Sequence, residues 1–195
     1  MSTSDRILDA ATDAFGLRGY NATSLDALAR DLDVRKQTVL YHFGSKDGLL
    51  EAVVDRAAGE LSDALSEAVD NAPPALGNVE AVVRATFRLA LRRPELLGLV
   101  RELSRLGDPW VGRAVESLEP MVKRATEFLE AEMEAGRMRR SDSRLLLVSV
   151  YSTVMGVATE VEILRAFGVE LTLRTAARRR KELIVFLHSA LAPAE

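Results

Sequence analysis

The run from Thr23 to Leu50, TSLDALARDLDVRKQTVLYHFGSKDGLL, constrains the fold more than any other stretch of the chain. Its apolar residues return at helical spacing in two short segments joined by a turn, and a third segment begins at Ser45. Thr23 stands where a helix cap is needed, and Asp26 three residues later completes a capping-box pattern. Leu25, Leu28 and Ala29 form the inward stripe, and the small Ala29 lets a second helix cross closely. Asp33, between Leu32 and Val34, is one of the few non-glycine types that tolerate a left-handed backbone, so the chain can reverse there. Val39 anchors the second helix and leaves Lys36, Gln37, Thr38 and Tyr41 largely outward, as side chains able to reach base edges and phosphates. The spacing fits a helix-turn-helix, whose second helix enters the DNA major groove, and it also fits any small helical hairpin.

The wording of the segment narrows that choice. GYNATSLDALARDLDVRKQTVLYHFGSKDGLLEAV, residues 19–53, closely resembles the DNA-binding domain of the TetR family of bacterial transcriptional repressors. The resemblance rests on Gly19, Tyr20, Thr23, Leu28, Ala29, Val34, Thr38, Tyr41, His42, Phe43, Ser45, Lys46 and Leu49. It implies DNA contacts by Tyr41, His42 and Lys46, with Lys36, Gln37 and Thr38 at the variable positions that read bases. Thr23 and Arg35 complete the candidate DNA-binding set. Gln37 is the candidate reader of adenine, because its amide donates and accepts at once. Three residues depart from the family pattern: Asp33 replaces the usual turn glycine, Leu40 a tyrosine, and Gly48 the acidic residue that completes the cap begun by Ser45. Gly48 is expected to weaken the start of the following helix, a junction that is then either a flexible hinge or a merely tolerated glycine.

At 195 residues with 48% apolar content, the chain is long enough to bury a proper core. It has no cysteine, which excludes a disulfide scaffold and a thiolate metal site, and its two histidines are separated in sequence. No metal site, cofactor or catalytic set is expected, since no nucleophile, histidine and carboxylate group together in one element. The N-terminus lacks the pattern of a signal peptide. The longest apolar stretch, Leu145 to Ala158, contains Ser149, Ser152 and Thr153 and falls short of a membrane span. The cytoplasm is the expected location. Charge alone does not suggest nucleic acid: the net charge is -3, and up to Leu50 Arg6, Arg18, Arg30, Arg35, Lys36 and Lys46 face seven aspartates. Position offsets the sum, because Asp5, Asp9 and Asp13 share one stripe of the first helix while Arg35, Lys36 and Lys46 cluster at the motif.

The whole chain reads as all-α, with about nine helices. Residues 1–46 are expected to form a three-helix helix-turn-helix DNA-binding domain, and residues 47–195 a helical ligand-binding and dimerisation domain. A helix runs over Ser4–Leu17, and Ser45 caps a long one reaching about Asp70, the natural lever between the two domains. NAPPALGN, Asn71 to Asn78, is a loop before a helix at Val79–Arg92. Pro94 opens the next, to about Leu106. A helix over Trp110–Ala135 is expected to bend near Glu116–Glu119 because Pro120 lies inside it. Ser141 and Asp142 cap a helix from Ser143 to about Phe167, and the last runs from about Thr172 to Leu191. The penultimate helix is apolar nearly all round and so needs covering on both sides. The resemblance implies that the last two helices pair with their copies in a homodimer, and Val154 and Leu187 are expected as residues of that seam. It also implies a pocket for a small apolar or amphipathic effector, for which Phe87, Trp110, Met121, Tyr151, Met155 and Glu162 are the candidates. The implied function is a repressor that leaves a palindromic double-stranded DNA operator when an inducer binds. The alternatives are a helical carrier or enzyme on the same fold, and a DNA-binding factor without an inducer.

Overall fold

The computed structural model describes residues 1–73 and 76–193, and among these the chain forms eleven α-helices and no strand. They are α1 (Thr3–Leu17), α2 (Leu25–Asp31), α3 (Lys36–Phe43), α4 (Lys46–Asp70), α5 (Leu76–Arg92), α6 (Pro94–Leu106), α7 (Trp110–Ser117), α8 (Glu119–Glu134), α9 (Ser143–Thr159), α10 (Val161–Ala166) and α11 (Leu173–Leu191). The all-α architecture is as expected, with two more helices than the nine read from the sequence. Pro120 causes one. It lacks the N–H of a continuing helix, so the chain stops at Leu118 and restarts with Pro120 in the first turn of α8, where that N–H has no intrahelical role. Glu160 causes the other: its backbone leaves helical values (φ -78°, ψ 69°) and divides the expected Ser143–Phe167 helix into α9 and α10. No proline or glycine lies within three residues of Glu160 to announce that break. In the expected loop over Asn71–Asn78, Pro74 and Ala75 lie outside the described residues, and Leu76 already opens α5.

The caps follow residue chemistry. Ser2 and Asp5 cap α1 reciprocally, Pro94 opens α6, and the Asp142 carboxylate accepts the Arg144 and Leu145 amides at 3.0 and 2.9 Å.

The chain packs as two compact units, Met1–Ser62 with Arg93–Glu119, and Asp63–Arg92 with Pro120–Glu195. In the first, Ile7 and Phe15 of α1, Val39 of α3 and Leu49, Leu50 and Val53 of α4 are fully buried together with Leu96 and Leu99 of α6. Burial of each such side chain contributes about 1.5–3 kcal/mol. The approach of α6 to α1 is set by two glycines: a Cβ on Gly16 would lie 2.0 Å from the Glu95 carbonyl oxygen, and one on Gly98 would lie 2.2 Å from that of Gly16. No larger residue fits at that crossing, so α6 belongs with the N-terminal helices despite its distance along the chain.

The core of the second unit joins Val79, Val83 and Phe87 of α5, Leu129 and Met133 of α8, Val154 and Ala158 of α9, and Leu183, Leu187 and Leu191 of α11. This corrects the expected seam. Val154 and Leu187 face their own core, because the 3.6-residue period places them beside Ala158 and Leu183 on the inward stripe. Exposed apolar side chains on these two helices include Leu145, Val148 and Tyr151 of α9 and Leu173, Val185 and Phe186 of α11.

Candidate nucleic-acid interface

One wholly buried residue, Val39, holds α3 against the first unit, while Arg35, Lys36, Gln37, Tyr41 and His42 are exposed and Thr38 is half-buried. An exposed tyrosine beside an exposed histidine on so short a helix serves no packing purpose; Tyr41 is 85% exposed and its ring meets that of His42 edge-on with centres 5.3 Å apart.

The turn that presents α3 is built as expected at Asp33, whose φ of 54° is left-handed. The Val34 N–H donates to the Ala29 carbonyl at 2.9 Å, and the Arg6 guanidinium of α1 donates to the Leu32 carbonyl at 3.1 Å, satisfying acceptors at the end of α2. The start of α2 differs. Ser24 is its cap, accepting the Ala27 N–H at 3.1 Å. Thr23 is buried, and its hydroxyl donates to the Gly19 carbonyl at 2.9 Å, so its side chain turns into the domain instead of outward. Threonine and serine both cap well, and burial of the threonine methyl group decides between them here. Asp26 does not complete a capping box; it accepts the Lys36 ammonium at 2.8 Å. That pair is open to solvent, with side chains 60% and 45% exposed. Such a pair is worth about 0–1 kcal/mol, so Asp26 holds Lys36 only weakly. Arg35 precedes α3 without a side-chain cap bond. With Lys36 it places positive charge beside the first-turn N–H groups, a combination that favours an anion.

Lys46 is placed differently from the expectation of a simple phosphate contact. Its ammonium donates to the Tyr20 carbonyl at 2.6 Å and lies 4.0 Å from the centre of the Tyr20 ring, and burial lowers its pKa. Lys46 therefore ties the start of α4 to the loop between α1 and α2, with one of its three donors engaged in doing so. Tyr20 is the hub of that loop, which reasoning on sequence missed. Its hydroxyl donates to the Asp47 carboxylate, and its N–H donates to Glu102 Oε1 at 2.7 Å. Burial, and then the bond to Asp47, push the Tyr20 pKa up. Its ring packs edge-on against Phe15 (5.3 Å) and lies 6.3 Å from Trp110. The motif wording singled out Tyr20, but nothing in the sequence pointed to Glu102.

Gly48 also corrects an expectation. The Ser45 hydroxyl caps α4 by accepting the Gly48 N–H at 2.9 Å, and a Cβ at Gly48 would lie 2.2 Å from the Phe43 carbonyl oxygen. The glycine is required by that close approach and is no arbitrary hinge.

The six ligand-pocket candidates are divided between the two units. Trp110 lies in the first unit beside Tyr20. In the second, Phe87 is core, Met121 and Met155 are half-buried, Tyr151 is exposed, and Glu162 faces outward with Arg165 at 2.8 Å. That unit does carry a groove of about 720 Å³, lined by Val157, Val169, Arg179, Leu183 and Phe186 among others. None of the six candidates lines it, because helical periodicity does not register an inter-helix groove. Among the described residues no group of three or more histidine, aspartate or glutamate side chains could hold a metal ion, and no helix is long and apolar enough to cross a membrane.

Residues 7–53 match the family model for bacterial regulatory proteins, tetR family. Curated relatives match at the sequence level as well, two of them as follows. The uncharacterized HTH-type transcriptional regulator YhgD of Bacillus subtilis is 24% identical over 130 residues, 67% of this chain and 66% of the relative. The biofilm operon icaADBC HTH-type negative transcriptional regulator IcaR of Staphylococcus aureus is 38% identical over 50 residues, 26% of this chain and 27% of the relative. The chain thus spans less than two-thirds of the length of either. Among solved structures, the transcriptional regulator FadR from Bacillus subtilis in complex with stearoyl-CoA shares the fold with a TM-score of 0.79 at 18% identity, covering 95% of this chain and 98% of that one. The turn at Asp33 and the exposed face of α3 lie within the matched residues, and over residues 7–53 the chain is similar to the tetR family of bacterial regulatory proteins.

Proposed function

We propose that this chain is a DNA-binding transcriptional regulator, acting as a homodimer on a two-fold symmetric operator and, as a repressor, released from it by a small apolar or amphipathic molecule. The observation that carries the reading is α3, which buries Val39 alone and turns Arg35, Lys36, Gln37, Tyr41 and His42 to solvent. Arginine and lysine neutralise phosphate, and a glutamine amide reads adenine. Residues 1–46 supply the DNA contacts and residues 47–195 the dimer and the effector site, and the protein works in the cytoplasm, where the chromosome is. Support for the dimer comes from the exposed apolar side chains Leu145, Val148 and Tyr151 on α9 and Val185 and Phe186 on α11, which a second copy of the chain could cover. Support for an amphipathic effector comes from the FadR complex with stearoyl-CoA and from the groove beside α11.

Inducer release is a population shift: the effector favours a dimer whose two α3 helices no longer match successive major grooves, about 34 Å apart. The test is fluorescence anisotropy of labelled genomic fragments against the full chain at several salt concentrations. The reading expects a few fragments to bind at least about a thousandfold more tightly than bulk DNA, with affinity falling steeply as salt rises. Equal affinity for all fragments would refute it.

A further inference from the structure

The loop between α1 and α2 is held by charged groups from two other helices. The Tyr20 carbonyl accepts from Lys46 and its hydroxyl donates to Asp47, both at the start of α4, while its N–H donates to Glu102 of α6. Glu102 is buried, with a side chain 9% exposed, and the Arg105 guanidinium donates to both of its oxygens at 2.7 and 2.8 Å. A buried carboxylate fixed at two points is a rigid acceptor, and its bond to the Tyr20 amide joins residues 82 positions apart. The backbones of α6 and α1 already meet at Gly98 and Gly16, so α6 has little freedom to slide on α1 without moving that acceptor. On the other side of Tyr20, Lys46 is only two residues beyond the end of α3 at Gly44.

We infer that Glu102 is a positioning residue for the DNA-reading face: by accepting the Tyr20 N–H it ties α6 to the loop that leads into α2, so that a shift of α6 reaches α3 through Tyr20 and Lys46. The inference rests on the regulator reading for its consequence at DNA, and its geometry can be tested without DNA.

Hydrogen exchange on the full chain, free of DNA, supplies the first readout. Glu102→Ala speeds exchange at Tyr20 at least tenfold and loosens residues 19–24, whereas Glu102→Gln, whose amide oxygen still accepts the Tyr20 N–H, stays close to the parent. Trp110, the single tryptophan, stands beside Tyr20, so its emission shifts in Glu102→Ala and is largely restored in Glu102→Gln. Operator affinity falls about tenfold in Glu102→Ala and returns for the most part in Glu102→Gln. A merely structural Glu102 would raise exchange uniformly across α1 and α6 and give no rescue by glutamine; either result overturns the inference. Should Glu102→Ala not fold, Arg105→Ala decides, because it removes an exposed partner and only loosens the carboxylate. A two- to threefold faster exchange at Tyr20 supports the tie, and unchanged exchange refutes it. A parent chain that binds no operator would sink the regulator reading while leaving the exchange result to stand or fall by itself.

Discussion

Gln37 and Gly48 show two different demands on a single residue, one on the exposed face of α3 and one at the start of α4. Gln37 sits on the exposed side of α3, where its amide both donates and accepts as adenine requires. Gln37→Ala is expected to relax preference at one base pair in each half-site, costing about 1–3 kcal/mol of discrimination there. Binding-site logos for parent and variant check it, and identical logos would remove Gln37 from the readout. Gly48→Ala tests packing instead. Its methyl group would meet the Phe43 carbonyl, so the variant is expected to lose about 1–3 kcal/mol in urea unfolding, against the gain that helix propensity alone would give. Equal or higher stability would show that the junction yields. These residues also mark what was legible in the sequence. Val39 inward and Tyr41 outward follow from a period of 3.6 residues. The burial of Thr23 and the hold of Lys46 on Tyr20 depend on α1 and α4 closing over them, which spacing does not record.

At the scale of elements, α9 and α11 carry two apolar faces with different fates. The face holding Val154 and Leu187 is core, and the face holding Val148 and Phe186 is bare. Both faces read as apolar in sequence, and only the packing of α5 and α8 distinguishes them, which is why Val154 and Leu187 are core residues here and not seam residues. Val148→Glu and Phe186→Glu are expected to leave helix content intact and give monomers, measured by light scattering and circular dichroism together. Val154→Glu places an unpaired charge in the core and should unfold the second unit, by about 3 kcal/mol or more. Dimers of undiminished mass in both surface variants would move the interface off these helices. The helix breaks teach the same lesson: Pro120 was visible as a bend and became a break, while Glu160 left no mark in composition.

Over the whole molecule, stability has a component that acid removes. Glu102 and Glu132 are buried, and hydrogen bonds from Arg105 and Arg137 respectively hold their pKa values below the ordinary 4.5. The unfolded chain therefore binds protons first as pH falls, so this contribution is full above about 4.5 and is lost as pH drops through the lower folded values. Glu132→Gln is expected to flatten the fall in unfolding free energy between neutral pH and pH 3. A slope equal to the parent's would assign the acid sensitivity elsewhere. The all-α class and the N-terminal motif were legible because local periodicity and turn chemistry specify them. The membership of α6 in the first unit was not, since it depends on the meeting of Gly98 and Gly16 across a long stretch of chain. The central claim, that α3 reads DNA from a symmetric dimer, is tested most directly by selecting bound sequences from a random duplex pool with the full chain. The account predicts an inverted repeat whose half-site centres lie about 34 Å apart or a multiple of that, with the preference altered in Gln37→Ala. A pool that stays random, or a selected sequence without two-fold symmetry, would contradict it.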